Sequence, residues 1–300
     1  SKLRIELEPD APAAVELRRI LQALFDTLIA NEDGLRKDLD TEFLHDFRVS
    51  VRRTRTALSQ IRGVLPRSAL DMFKPEFSWL GKLTGATRDL DVYLLKMDDY
   101  RATLPPSVSG DLEPLRRFLA SHRVVELRRL LEGLDSSRFS RLVRDWRTFL
   151  ADRQAADPTA AFADRPVREL ASREVKRAYK RFLKRGRAID DSSPAQDLHR
   201  LRIDGKKLRY LLEFFRSLGD PQEMRDLIEA LKLVQDNLGD FNDFGVQQGM
   251  LPVFGQQMVD EGFASSSALM AMGRLVDKLE QGEAAERAHF GRRFSKFDSP

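Results

Sequence analysis

Residues 44–61 read LHDFRVSVRRTRTALSQI, and residues 198–215 read LHRLRIDGKKLRYLLEFF. Laid over each other, the two stretches keep one cationic pattern. His45, Arg48, Arg52, Arg53 and Arg55 align with His199, Arg202, Lys206, Lys207 and Arg209. The offset between His45 and His199 is 154 residues. The same offset relates Gly85 and Arg88-Asp89 to Gly239 and Asn242-Asp243. No net insertion separates the copies over that span, so the pattern implies an internal duplication.

Both stretches read as helices. At ~100° per residue, His45, Arg48, Arg52 and Arg55 fall within ~80° of each other. His199, Arg202, Lys206 and Arg209 do the same, and each row is ~15 Å long. The apolar face beside the first row holds Leu44, Phe47, Val51, Leu58 and Ile61. Leu198, Leu201, Leu208, Leu212 and Phe215 form the second face. Each row therefore borders a core. Arg53 and Lys207 lie on a different side of the wheel and are expected to serve a neighbouring wall.

Like charges at i,i+3 and i,i+4 repel by a few tenths of a kcal/mol per pair. Such a row needs a counter-anion or acidic partner helices. Arginine suits phosphate, because its planar fork donates two hydrogen bonds and keeps its charge. Cations at one-turn intervals suit an extended polyanion better than a single small anion. A single copy could be an ordinary solvated face; two copies at one spacing, each beside a core, argue against that. The histidines sit among cations and lack a His or Cys partner at ligand spacing, so no metal is expected there. Asp89 and Asp243 are expected to pair with row arginines and hold them in position; a Mg²⁺ site is the weaker reading.

Working outward, the chain has 300 residues, 51 basic and 47 acidic, for a net charge of +4. Its signs segregate. Residues 165–187 carry ten basic and two acidic side chains; residues 220–243 carry seven acidic and two basic. In the basic block Arg173, Arg177, Lys180 and Lys184 make a further stripe at i, i+4, i+7, i+11; with Arg53 and Lys207 they are expected as second-tier contacts to the anion, an ordinary solvated face being the alternative for the stripe. There is no cysteine, which excludes disulfides, thiolate metal sites and a thiol nucleophile, and fits a cytoplasmic location. No run has the length of a membrane span. Strand-forming runs are scarce, so the fold class is all-α.

Residues 1–12 read as a linker, 13–152 as a first helical half, 153–165 as an inter-half linker and 166–300 as a second half. Helices are expected from Ala13 to Leu39 and from an N-cap at Thr41 to about residue 63. Another runs to Thr84, with Pro75 as its kink or start, followed by a break or a helix start over 85–91. The second half is expected to place separate helices over 221–238 and 242–258, and a last one over 263–288. In the tail, Phe290, Phe294 and Phe297 alternate with His289, Arg292, Arg293 and Lys296. That reads as aromatic anchoring, with a nucleic-acid stacking surface as the alternative.

These residues resemble the CHAD domain, the conserved histidine α-helical domain. The match is carried by His45-x-x-Arg48-x-x-x-Arg52-Arg53-x-Arg55 with Gly85-x-x-Arg88-Asp89-x-Asp91-Val92. It recurs in Leu198-His199-x-x-Arg202-x-x-x-Lys206-Lys207-Leu208-Arg209-Tyr210 with Leu238-Gly239-x-x-Asn242-Asp243. The resemblance implies two pseudo-symmetric antiparallel helical bundles whose basic helices face a central cavity. It also implies non-enzymatic binding of inorganic polyphosphate, with sulfate or phosphate able to mimic the ligand, and association with polyphosphate granules. No catalytic residue and no cofactor is implied. Leu3-Arg4-Ile5-Glu6-Leu7 resembles the linker that follows a CYTH domain, which implies such an N-terminal partner in a longer chain. One departure is visible, since Gly245 occupies the position aligned with Asp91. Two rival readings remain: a metal-dependent phosphoanhydride hydrolase or triphosphatase accessory domain, and a nucleic-acid binder, which the paucity of aromatics beside the rows disfavours.

Overall fold

Proline at the start of a helix sacrifices no intrahelical hydrogen bond, and here two prolines open equivalent helices. The computed structural model describes residues 5–152 and 157–298. Leu3 and Arg4 of the N-terminal linker and residues 153–156 of the inter-half linker lie outside the described residues. Helix α1 (Ala13–Arg36) follows Pro12, and α9 (Val167–Gly186) follows Pro166. Pro12 and Pro166 form an isolated antiparallel bridge. Ala13 N donates to Arg165 O at 2.8 Å, and Val167 N donates to Ala11 O at 2.9 Å. Each donor and each acceptor has its counterpart 154 residues away, so the contact is reciprocal within the repeat.

The other helices are α2 (Thr41–Gln60), α3 (Arg67–Leu83), α4 (Gly85–Leu95), α5 (Met97–Ala102), α6 (Pro106–Ser109), α7 (Glu113–Asp135), α8 (Ser137–Ala151), α10 (Ala195–Phe214), α11 (Pro221–Asp260) and α12 (Ser266–Asp298). The described residues hold no strand, so the fold is all-α. None of these helices is long and apolar enough to cross a membrane. The bounds of α2 and α10 differ by the repeat offset at both ends.

Three sequence expectations change. The N-cap of α2 is Asp40, one residue before Thr41; its carboxylate accepts from Glu42 N at 2.8 Å. Pro75 lies inside α3. The separate helices expected over 221–238 and 242–258 are one continuous α11. Gly239 lies in the expected gap, yet Leu238 and Phe241 are buried on either side and carry the apolar face through it. In the first copy the equivalent helix does break, between α3 and α4. There the Thr84 hydroxyl donates to Leu80 O at 3.0 Å, a side-chain bond that competes with the helical ladder.

Packing divides the chain into two compact units. The first comprises Ser1–Arg88, Arg128–Phe182 and Lys206–Glu229; the second comprises Asp89–Leu127, Leu183–Gly205 and Ala230–Pro300. In the first, α1 packs along α2, α2 against α3, and α8 against both α1 and α3. Phe73 and Phe77 set their edges against Trp146 at 4.7 and 4.9 Å, and Phe149 stacks on it at 5.4 Å. In the second unit, Tyr93, Met97 and Tyr100 pack with Leu251, Phe254, Leu275 and Leu279 from α11 and α12. Helix α12 runs ten residues beyond the expected end. Its Phe290, Phe294 and Phe297 are buried, with Phe294 against Gly186, where a Cβ would collide with the ring. The tail aromatics are anchors.

Candidate functional site

Helix α2 carries the first row within the first unit. His45 and Arg48 are half-buried, Arg52 likewise, and Arg55 is exposed. Arg48 Nη1 donates to Gly81 O at 3.1 Å and to Thr84 Oγ1 at 2.8 Å. The break at Thr84 thus supplies the atoms that aim Arg48. His45 Nδ1 lies 2.9 Å from Arg88 Nη2. Burial and then the Arg88 guanidinium hold the His45 imidazole below its ordinary pKa, with Glu42 opposing. Arg52, Arg55 and Arg88 make no ion pair among the described residues. The Nε of Arg52 and Nη1 of Arg88 are buried without a hydrogen-bond partner.

Arg53 points elsewhere, as its wheel position requires. It is buried and pairs with Glu213 Oε2 at 2.6 Å, its guanidinium 5.7 Å from the Tyr210 ring. Arg209 shares Glu213, at 3.5 Å from Oε1. Glu213, on α10 one turn after Arg209, is therefore a carboxylate between two cations. Sequence inspection did not single it out. Lys206 and Lys207 are half-buried.

Helix α10 brings His199 and Arg202 to the second unit, while Lys206, Lys207 and Arg209 belong to the first. His199 Nδ1 lies 2.6 Å from Asn242 Oδ1. Arg202 Nη2 lies 3.5 Å from Asp243 Oδ1, and Lys96 Nζ lies 4.0 Å from Asp243 Oδ2. Asp243 thus pairs with a row arginine. Asp89 is exposed at the start of the unit. Burial, then the Asp89 and Asp243 carboxylates, push the Tyr93 phenol well above its ordinary value. Among the described residues, no three His, Cys, Asp or Glu side chains stand close enough to hold a metal ion.

Asp91 is buried and meets Arg123 Nε at 2.5 Å. At its aligned position, a Cβ on Gly245 would lie 3.0 Å from Glu283 Oε1. The second copy therefore has a carboxylate beside this position, delivered by α12.

The α9 stripe divides by exposure. Lys180 and Lys184 are exposed. Arg177 Nη2 donates to Gln60 O at 2.6 Å, Arg173 Nη2 to Arg62 O at 3.0 Å, and Arg181 Nη2 to Gln60 Oε1 at 3.0 Å. Arg173 and Arg177 also flank the fully buried Glu174. Both guanidinium groups are engaged at the C-terminus of α2, where carbonyls lack intrahelical donors and positive charge is favoured. No sequence period announces this, because the capped helix lies more than 100 residues away.

A family model described as the CHAD domain matches residues 19–252. The crystal structure of the CHAD domain from the plant Ricinus communis superposes with a TM-score of 0.75 at 27% identity, covering 95% of this chain and 97% of that one. PptA from Streptomyces chartreusis superposes at 0.71, covering 95% and 100%; at 17% identity that likeness speaks to fold alone. A search of curated proteins finds no match. The doubled motif, the all-helical fold and the family match agree, and the chain belongs to the CHAD domain family.

Proposed function

We propose that this chain binds inorganic polyphosphate without transforming it, in the cytoplasm and at polyphosphate granules. The observation that carries the reading is the charge left over beside α2. Arg52 and Arg55 on α2 and Arg88 on α4 have no carboxylate partner among the described residues. These three cations repel one another in the ligand-free chain, so an anion gains what the fold leaves uncompensated. Arg48, Arg52, Arg55, Arg202, Lys206 and Arg209 are the proposed contacts to phosphoryl oxygens, with His45 and His199 at the row ends. Lys180 and Lys184 are outer contacts; Arg53, Arg173 and Arg177 support the helices that carry the rows.

Changing Arg52 and Lys206 together to Glu should abolish measurable binding to polyphosphate of defined length. Unchanged affinity in the folded double variant would overturn the assignment. Affinity should fall steeply with salt, because each neutralised phosphate releases counterions. Single-stranded RNA at equal charge concentration should not displace polyphosphate. Incubation with Mg²⁺ should release no phosphate; turnover would establish the hydrolase instead.

A further inference from the structure

The two histidines occupy the same place in the repeat, and so do the residues that meet their Nδ1 atoms. Arg88 and Asn242 each follow their histidine by 43 residues. The chemistry of the two contacts is opposite. A guanidinium can only donate, so at 2.9 Å from Arg88 Nη2 the Nδ1 of His45 must accept. Neutral His45 therefore carries its proton on Nε2. At His199 the partner is a carbonyl oxygen, Asn242 Oδ1 at 2.6 Å. That oxygen can only accept, so His199 carries a proton on Nδ1. The orientation of the Asn242 amide is set independently, since its Nδ2 donates to the Asp243 carboxylate at 3.4 Å.

Nε2 is the ring atom that each histidine keeps for a ligand; neither Nε2 has a hydrogen-bond partner among the described residues. On His45 it is an N–H that can donate to a phosphoryl oxygen as it stands. On neutral His199 it is a lone pair facing an anion that also has only lone pairs. The contact becomes favourable when Nε2 gains a proton and the ring becomes an imidazolium. His45 has no such option at low cost. A second proton there would set N–H against N–H and place a cation beside Arg88.

We propose that Arg88 and Asn242 are positioning residues that fix opposite tautomers on His45 and His199, so that polyphosphate binds the His199 row with uptake of a proton and the His45 row without one. This rests on the polyphosphate reading above and divides its two rows by chemistry. The charges around each ring are consistent with it. Glu42, Asp46 and Arg52 on α2 accompany Arg88 at His45, whose pKa is lowered by burial and by Arg88. Around His199, α10 contributes the Asp197–Arg200 pair and Arg202, and α11 contributes Asp243, which Lys96 approaches at 4.0 Å. Arg185 of α9 is matched by Asp204, and Arg287 of α12 is held by the carbonyls of Asp191 and Ser193. Among the described residues, no cation is hydrogen-bonded to the His199 ring as Arg88 is to His45.

Ring-nitrogen correlation spectra of the ¹⁵N-labelled, ligand-free protein at pH 7.5 read the tautomers directly. His45 is expected with its proton on Nε2 and His199 with its proton on Nδ1; the same tautomer at both overturns the proposal. Asn242→Arg should turn His199 to the His45 pattern, and Asn242→Asp should keep Nδ1–H. Should Asn242→Arg fail to fold, a shifted tautomer in Asn242→Asp still refutes the role given to Asn242. Calorimetry with polyphosphate in buffers of different ionisation enthalpy then counts protons. Binding is expected to take up a proton, so affinity should fall as pH rises, by up to about tenfold per pH unit. His199→Gln should abolish that uptake, and His45→Gln should weaken binding while leaving the uptake intact. Absence of uptake, or its loss in His45→Gln, overturns the division between rows. A chain that binds no polyphosphate overturns the polyphosphate reading and the uptake with it, whereas the ligand-free spectra alone decide the tautomers.

Discussion

Arg48 and Arg202 stand at the same place in the two copies of the motif, and some of the groups that hold them differ. Arg48 donates to Gly81 O and Thr84 Oγ1, and these atoms are available because the helix breaks at Thr84. The position aligned with Thr84 is Leu238, which is buried inside the unbroken α11. With no hydroxyl and no freed carbonyl there, Arg202 meets the Asp243 carboxylate. Two stretches can therefore keep one spacing of cations while differing in what surrounds them. Spacing is set on one helix; the holding groups come from others.

The largest effect should come where the copies differ most in burial. Asp91→Ala removes the buried carboxylate that meets Arg123 and should lower stability by about 3–5 kcal/mol, read as a shift in the urea midpoint. The mirror experiment is Gly245→Asp. It sets a new Cβ 3.0 Å from Glu283 and one carboxylate against another, and should destabilise by about 1–3 kcal/mol. A stabilising Gly245→Asp would mean that the second copy tolerates the arrangement of the first, and the comparison would fail at this site.

Next in size is the hydroxyl that aims Arg48. Thr84→Val keeps the volume and removes one charge-assisted acceptor, a loss of about 1.5–3 kcal/mol. Polyphosphate affinity should fall several-fold with it, because Arg48 keeps only the Gly81 carbonyl of the two. Leu238→Thr should cost stability and leave affinity unchanged, since Arg202 is held by Asp243. Equal affinity losses in the two variants would show that the copies are aimed alike.

The pairing of local and remote signals explains what could be read before the structure. The rows, their helices and the apolar faces repeat at helical spacing, so α2 and α10 were legible as elements, as were the anchoring phenylalanines of α12. Asp40 and Thr41 are both capping residues, and only the bond to Glu42 N decides between them. Arg173 and Arg177 are legible only as members of a cationic stripe, because the carbonyls they meet, Arg62 O and Gln60 O, are remote in sequence. Arg88 is legible as a landmark of the motif, but its contact with His45 is not, since 43 residues and a helix break separate them. Gly239 misled because a glycine breaks a helix only where packing does not carry the helix through, and Leu238 and Phe241 do so.

The smallest expected effect concerns acid stability, and it too separates the copies. Asp240 belongs to the second, and its aligned position in the first is Ala86. Burial and then the Glu286 carboxylate hold the Asp240 pKa above 3.8, with Lys96 opposing. The native state thus binds more protons than the unfolded chain between 3.8 and that raised value, and this contribution to stability falls as pH rises through the window. Asp240→Asn should therefore be more stable than the parent at neutral pH, with the advantage shrinking as pH drops toward 3.8. His45 acts with the opposite slope. Its folded pKa lies below 6.5, so the unfolded chain binds the extra proton, and stability falls as pH decreases from 6.5 toward the folded value. His45→Gln should flatten that decline, and Ala86→Asp should leave the Asp240 window where it is. Urea midpoints taken every half pH unit from 4 to 8 resolve the two slopes. An Asp240→Asn variant no more stable than the parent at neutral pH, or a His45→Gln curve that declines like the parent's below pH 6.5, would remove this electrostatic distinction between the copies.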